Sequence, residues 1–314
     1  MAEILEASSF LRLIGRWGEM IKFAHSVFAL PFALMAVFLA ARSAWLAGDA
    51  PGPYPRAGQL ALVVVCMVAA RSAAMTFNRI VDAALDARNP RTAGRPIPAG
   101  TITRRQAIVF LLAASGLFML GAAGFYWFYA NPWPIIFAVP VLAYLCFYSY
   151  TKRFSRWSHF VLGNAIAISP VAAWLAIHPA SLGWPALLLM GAVTLWIGGF
   201  DVIYACQDIQ IDRAEGLFSL PARMGPAAAL WITRAAHAVT VVLLAAMIPA
   251  AGLGGLYTAG VIIVAGLLVY ENALVHPDDF SRVNLAFFTV NGVISLLLGV
   301  LTIADCLLLS QHAR

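Results

Sequence analysis

Long apolar runs, each near the length of a membrane crossing, recur along the whole chain. A helix needs about 20 consecutive apolar residues to cross the hydrocarbon core. Nine such runs stand at about 23–41, 58–78, 106–126, 133–151, 158–178, 184–206, 228–249, 253–273 and 285–309. Lipid admits only helices and closed barrels, because every backbone polar group must be satisfied internally. The runs are too evenly apolar for the alternating pattern of barrel strands. The pattern predicts an all-α integral membrane bundle of about nine transmembrane helices, one domain over 1–314.

Composition agrees with this. Of the 314 residues, 62% are hydrophobic and 11% charged. A soluble domain carries roughly 25% charged residues. No polar stretch is long enough to form a second domain.

The formal charge of +6 raises nucleic acid as a partner. The placement of the basic residues argues against it. Most of the 20 Lys and Arg sit before the first run or in the alternate loops 79–105, 152–156, 213–234 and 282. The opposite loops hold only Arg42, Arg56 and Arg314. This is the positive-inside bias, and it places the N-terminus in the cytoplasm. An odd number of crossings then puts the C-terminus outside. The N-terminal segment carries Glu3 and Glu6 ahead of a long span, which reads as a retained helix rather than a cleaved signal. Cys66, Cys146, Cys206 and Cys306 are scattered singly, without metal or disulfide spacing, and read as small buried hydrophobes.

Against this apolar background two acidic motifs stand out. Asn78, Asp82 and Asp86 are four residues apart and share one face of a helix that runs into a basic loop. Arg71 lies two turns deeper on that face. Asp201, Asp208 and Asp212 form a second stripe at the end of the sixth run. Each pair precedes a short Pro/Gly segment, Pro96-Ile-Pro-Ala-Gly100 and Leu220-Pro-Ala-Arg-Met-Gly225, a faint internal echo of two related halves. Like charges at this spacing repel, and ionisable groups in spanning segments are costly. Either motif alone could be a solvated helix end. Both on one side of one bundle call for a common neutraliser. A hard cation suits the oxygen ligands, and Mg²⁺ binds through one or two carboxylates plus substrate phosphates. The reading requires the second and sixth helices to be neighbours that turn their carboxylates toward a shared cation.

Other residues near this side admit two readings. Tyr148, Lys152 and Arg153 could hold phosphate oxygens, or could be interfacial anchors. Arg91 and Arg95, in the long Pro/Gly-rich loop 88–105, could face a diphosphate or be ordinary loop charge. His25, beside Lys22, reads as a packing residue. Glu271 and Asp305 are expected to face water near helix ends, and the nine tryptophans to form interfacial belts.

Taken together these residues resemble the UbiA superfamily of intramembrane prenyltransferases. Asn78-x3-Asp82-x3-Asp86 followed by Arg95-Pro-Ile-Pro-Ala-Gly100 is similar to its first signature, and Tyr204-Ala-Cys-Gln-Asp208-x3-Asp212 to its second. Arg71-x6-Asn78 and Tyr148-x3-Lys152-Arg153 also fit, and the likeness covers about 12–310. The resemblance implies transfer of a polyprenyl group from a polyprenyl diphosphate to an aromatic acid acceptor at the lipid bilayer. It implies metal and diphosphate binding by Asn78, Asp82, Asp86, Asp208 and Asp212. Asp82, Asp208, Arg71 and Lys152 would carry the catalysis, with Tyr148, Arg153, Asp201 and Arg95 contacting substrate.

The segments 21–31 and 215–223 look most like 4-hydroxybenzoate polyprenyltransferases, and like a subgroup tied to menaquinone made through futalosine. The enzyme would then serve quinone synthesis in the plasma (inner) membrane with its site toward the cytoplasm. One departure is Arg79, where the family often has an acid after the asparagine, which shifts weight onto Asp82. Two rival readings are a CDP-alcohol phosphotransferase and a transporter. The first needs its acids in one compact motif; the second needs them near the bilayer midplane.

Overall fold

The structure is a computed structural model, and it describes residues 29–312 together with Gly15, Trp17, Gly18 and Met20. His25, Lys22, Arg12, Arg16 and Arg314, and the start of the first apolar run, lie outside the described residues.

Among the described residues the chain is helical without β-strands. The long helices are α1 (Leu30–Leu46), α2 (Ala57–Arg88), α3 (Arg104–Tyr129), α4 (Trp133–Thr151), α5 (Ser158–Ile177), α6 (Trp184–Ala205), α7 (Pro226–Ala251), α8 (Gly255–Ala273) and α9 (Asn291–His312). Eight helices in the described chain are long and apolar enough to cross a membrane, and the described part of α1 is a shorter apolar helix. The nine expected runs therefore each correspond to a helix. Their outer faces leave Leu112, Val242 and Val269 well exposed, as side chains facing lipid would be.

Local chemistry sets the helix starts. Proline occupies the first turn of α1, α4, α6 and α7, where its missing N–H costs nothing. At the head of α3, Gln106 N–H donates to Thr103 Oγ1 at 3.2 Å and Thr103 N–H to Gln106 Oε1 at 2.9 Å, a reciprocal cap. The α7–α8 turn is pinned from both sides. Arg42 Nη1 donates to the Ala251 carbonyl at 2.9 Å, and the N–H groups of Gly254 and Leu256 donate to Asp305 at 2.5 and 3.1 Å.

Packing divides the bundle. Helices α1, α5, α6, α7, α8 and α9 share a core around Trp174, Trp196, Phe200 and Tyr257, and a smaller cluster of Ala69, Phe118 and Ala138 joins α2, α3 and α4. Helices α5 and α6 approach closely because both carry glycine at the contact: a Cβ on Gly163 would run into the backbone of Thr194 and Gly198. Helix α2 packs mainly on α3 and α4, while α6 packs on α5 and α7. The two helices expected to be neighbours do not pack extensively on each other, but their carboxylates line one cavity between them.

Two more expectations fail. Glu271 is 0% exposed and Asp305 is 3% exposed, so neither faces water. Each is buried because an N–H donor reaches it: Asn291 for Glu271, and the α8 N-terminus for Asp305. The second acidic stripe is also not one α-helix. Helix α6 ends at Ala205, a 3₁₀ turn covers Cys206–Asp208, and a short helix follows over Ile209–Ala214. The cysteines are free, Cys206 and Cys306 buried and Cys66 and Cys146 half-buried.

Candidate active site

The ends of α2, α4 and α6 and the start of α5 surround a polar cavity of about 310 Å³. Asp82 and Asp86 reach it from α2; Asp201, Asp208 and Asp212 reach it from α6 and the segment after it. Arg71, Asn78, Arg91, Arg95, Tyr148 and Lys152 complete the wall.

The four-residue spacing on α2 works as helical geometry requires, because α2 runs unbroken to Arg88. Asp82, 1% exposed, accepts from Asn78 Nδ2 at 2.9 Å and from Lys152 Nζ at 2.6 Å. Arg153 Nη2 lies 3.4 Å from its other oxygen and donates to the Val81 carbonyl at 3.1 Å. Asp86 accepts from Arg95 Nη1 at 2.6 Å, while its second oxygen is buried without a hydrogen-bond partner. Arg79, which stands where the family often has an acid, is buried and donates to Asn78 Oδ1 at 3.3 Å.

The loop after α2 folds into the cavity rather than standing in solvent. Arg91 bonds Asp208 through Nε at 3.0 Å and through Nη2, and its Nη1 donates to Tyr204 Oη at 2.9 Å. Burial lowers the affinity of this guanidinium for its proton, but the bond to Asp208 and that residue's charge outweigh it, and the pKa is raised. Asn89 Nδ2 also donates to Asp208, at 3.0 Å. At the exposed edge Arg88 holds Glu215 through two bonds of 2.6 and 2.7 Å. Loop 89–103 thus ties the α2 stripe to the α6 side. Arg91 and Arg95 both line the cavity, each paired with an aspartate.

His159 was not anticipated by sequence reasoning. Its Nδ1 is 2.6 Å from Asp201 Oδ2, and its Nε2 accepts from the Leu220 N–H at 3.3 Å. An Nε2 that accepts a backbone N–H leaves the hydrogen on Nδ1, so the ring donates to Asp201. Nothing near His159 in the chain marks it, because its partners are 42 and 61 residues away.

Behind the polar cavity lies an apolar one of about 410 Å³, walled by α2, α3, α4 and α5. It reaches from Arg71 and Tyr148 to Trp133 and Ala176 at the far ends of the helices, and it shares Arg71, Met75, Tyr148, Leu162 and Ile166 with the polar one. Arg71 Nε is buried at this boundary without a hydrogen-bond partner.

The carboxylates do not form a compact metal cage: among the described residues no group of three or more His, Cys, Asp and Glu could hold an ion by itself. The donor set is nevertheless of the kind Mg²⁺ takes, with oxygen ligands on two sides of one cavity and one carboxylate oxygen on Asp86 unengaged. Mg²⁺ commonly completes its shell with water and substrate phosphate.

The fold and site define an all-helical membrane bundle whose carboxylates and basic side chains line a polar chamber next to an apolar one. Residues 29–303 match the model of the UbiA prenyltransferase family. The chain belongs to that family and is a prenyltransferase. A 4-hydroxybenzoate octaprenyltransferase of Saccharophagus degradans is 29% identical over 262 residues, covering 82% of this chain and 84% of that protein. One from Edwardsiella ictaluri is 31% identical over 261 residues, covering 82% and 86%. The apo structure of a UbiA homologue from Aeropyrum pernix superposes with a TM-score of 0.73 at 29% identity, over 91% of this chain and 98% of that one. A UbiA homologue from Archaeoglobus fulgidus, bound to GPP and Mg²⁺, shares the fold with a TM-score of 0.69 at 17% identity, over 93% and 99%.

Proposed function

We propose that this prenyltransferase moves a polyprenyl group from a polyprenyl diphosphate to an aromatic acid of the 4-hydroxybenzoate kind, in quinone synthesis. The observation that carries the proposal is the junction of the two cavities. An anionic head and a long apolar tail need adjoining polar and apolar chambers, and Arg71 and Tyr148 stand at their boundary. Relatives named as 4-hydroxybenzoate octaprenyltransferases support the acceptor class.

In this reading Asp82, Asp86, Asp208 and Asp212, with Asn78, hold Mg²⁺ with the diphosphate, and bound Mg²⁺ would neutralise charge on the leaving group. Lys152, Arg153 and Arg95, each beside one of these carboxylates, orient the phosphates and stabilise the negative charge that grows as the allylic C–O bond breaks. Arg71 holds the inner phosphate edge or the acceptor's carboxylate. The allylic C–O bond breaks to release diphosphate and leave an allylic cation, a ring carbon of the acceptor attacks that cation to form the C–C bond, and the ring carbon's proton passes to the departing diphosphate. Asp201, oriented by His159, faces the cavity where the acceptor would sit. The apolar walls exclude water that would otherwise trap the cation as an alcohol.

The whole chain, 1–314, acts as one domain with its N-terminus in the cytoplasm and the polar cavity opening there, in the plasma (inner) membrane. The bias of basic residues toward the loops around that cavity supports this orientation. Purified protein given a radiolabelled polyprenyl diphosphate, Mg²⁺ and a panel of aromatic acids tests the proposal. Prenylated product is expected from the native protein and none from Asp82→Ala or Asp208→Ala, although both should still insert. Full activity in either variant, or no product with any aromatic acid, overturns it.

A further inference from the structure

A second polar group lies inside the bundle, away from the carboxylates described above. Glu271 of α8 and Asn291 of α9 are both 0% exposed. Asn291 Nδ2 donates to Glu271 Oε1 at 2.8 Å and also to the carbonyl of Ala286, five residues back, at 3.0 Å. The segment Leu285–Val290, just ahead, is a π-helix. Such turns are rare and cluster at functional sites. Their wide register leaves carbonyls without the usual N–H, and the Asn291 side chain supplies one here.

The π turn matters because of what it presents. Phe287, in its middle, lines the polar cavity. Its ring lies 4.3 Å from that of Tyr204 and 5.1 Å from that of Phe200, centroid to centroid. Tyr204 accepts from Arg91, which binds Asp208. An aromatic wall therefore runs from the π turn to one of the acidic motifs. Tightening the π turn to 3.6 residues per turn rotates the chain ahead of it by about 100° relative to α9, and Phe287, midway through the turn, by roughly half of that. Phe287 would then leave the cavity.

We infer that Glu271 and Asn291 are positioning residues: their buried pair holds the π turn that sets Phe287 against Tyr204 in the wall of the active site. Both act through Phe287 and touch no substrate. The pair also has a specific chemical form. Glu271 Oε2 and Asn291 Oδ1 each lack a hydrogen-bond partner. A proton on Glu271 Oε2 would give the pair the one hydrogen that both oxygens lack. A glutamine at 271 supplies the same hydrogen from its amide.

This inference rests on the prenyltransfer reading for its kinetic arm only. The double variant Glu271→Met, Asn291→Leu removes both polar partners at similar volume; the Ala286 carbonyl, which loses the Asn291 amide, regains an i+4 N–H once the turn tightens to an α-helix, so the variant should fold with a Tm close to native. Its kcat should fall at least tenfold, with KM for the prenyl diphosphate within threefold of native. Glu271→Gln should stay within threefold in both. A double variant with native kcat, or a Glu271→Gln as impaired as the double variant, overturns the inference.

A second arm reads the turn without any turnover. In a background with the four cysteines replaced, a Phe287→Cys thiol should react with a water-soluble maleimide from the cavity, and adding the double substitution should suppress that reaction. Unchanged labelling overturns the inference. Failure of the prenyltransfer reading would leave every protein without product and this labelling difference intact.

Discussion

Replacing Arg91 by alanine removes the strongest tie that the α2–α3 loop makes to the second acidic motif. Arg91 grips both oxygens of Asp208 and donates to Tyr204. Its side chain is 30% exposed and that of Asp208 is 15% exposed, so the pair is partly screened. Charge-assisted bonds of this kind are worth about 1.5–3 kcal/mol each when sheltered, and pairs near solvent about 1 kcal/mol or less. The intermediate burial gives roughly 1–2 kcal/mol for the whole grip. If Asp208 must exchange this guanidinium for a cation, that sum opposes cation binding in the native protein. At 1.4 kcal/mol per factor of ten, Arg91→Ala should lower the Mg²⁺ concentration for half-maximal rate by about 5- to 30-fold. The assay is prenyl transfer against Mg²⁺ at saturating prenyl diphosphate, repeated at high ionic strength, where screening should narrow the difference. A half-saturation point unchanged or raised in Arg91→Ala would refute the exchange, and with it the idea that Arg91 and the metal share Asp208.

Other expectations follow from single contacts. Asp305→Ala removes the partner of the Gly254 and Leu256 N–H groups at a partly exposed turn, at about 1 kcal/mol for each, and should lower the Tm in detergent while leaving KM unchanged; an unshifted Tm contradicts the capping role. The hydrogen bond from Arg88 holds the Glu215 carboxyl below its ordinary value of 4.5. A carboxylate so lowered contributes fully above that value and loses its contribution as pH falls through the lower folded one. Protease cleavage within 89–103 should therefore rise only below about pH 4.5, and in Glu215→Gln it should already be higher than native above that pH. Val141 lines the apolar cavity, so Val141→Phe should raise KM for long polyprenyl diphosphates at least tenfold while sparing geranyl diphosphate. Equal loss for both lengths would place the tail elsewhere.

The parts of this molecule written in local periodicity were legible from the chain. Apolar runs located the helices because lipid leaves the backbone no other option. The α2 stripe was legible because Asn78, Asp82 and Asp86 lie on one uninterrupted helix. The second stripe was less so: the 3₁₀ turn at Cys206–Asp208 breaks the register that four-residue spacing assumes. What depends on distant partners could not be read. His159 matters only because Asp201 and Leu220 arrive beside it. Glu271 and Asp305 look like ordinary acids near helix ends, and only the packing of α8 against α9 and of the α7–α8 turn buries them. Hydropathy reports how apolar a segment is, but not which way its one polar residue points.

The cations at the acidic stripes have a consequence for how a ligand arrives. Asp82, Asp86 and Asp208 are each already matched by a lysine or arginine of the same chain. The resting chamber is therefore close to electrically balanced, which lets so many ionised groups sit at the edge of a medium that tolerates few. An incoming metal–diphosphate carries both signs at once: its cations can take over the aspartates while its phosphates take over the freed basic groups. Entry becomes a swap of partners with little net movement of charge. Neither the metal alone nor the diphosphate alone can complete that swap, so each should bind weakly until the other is present.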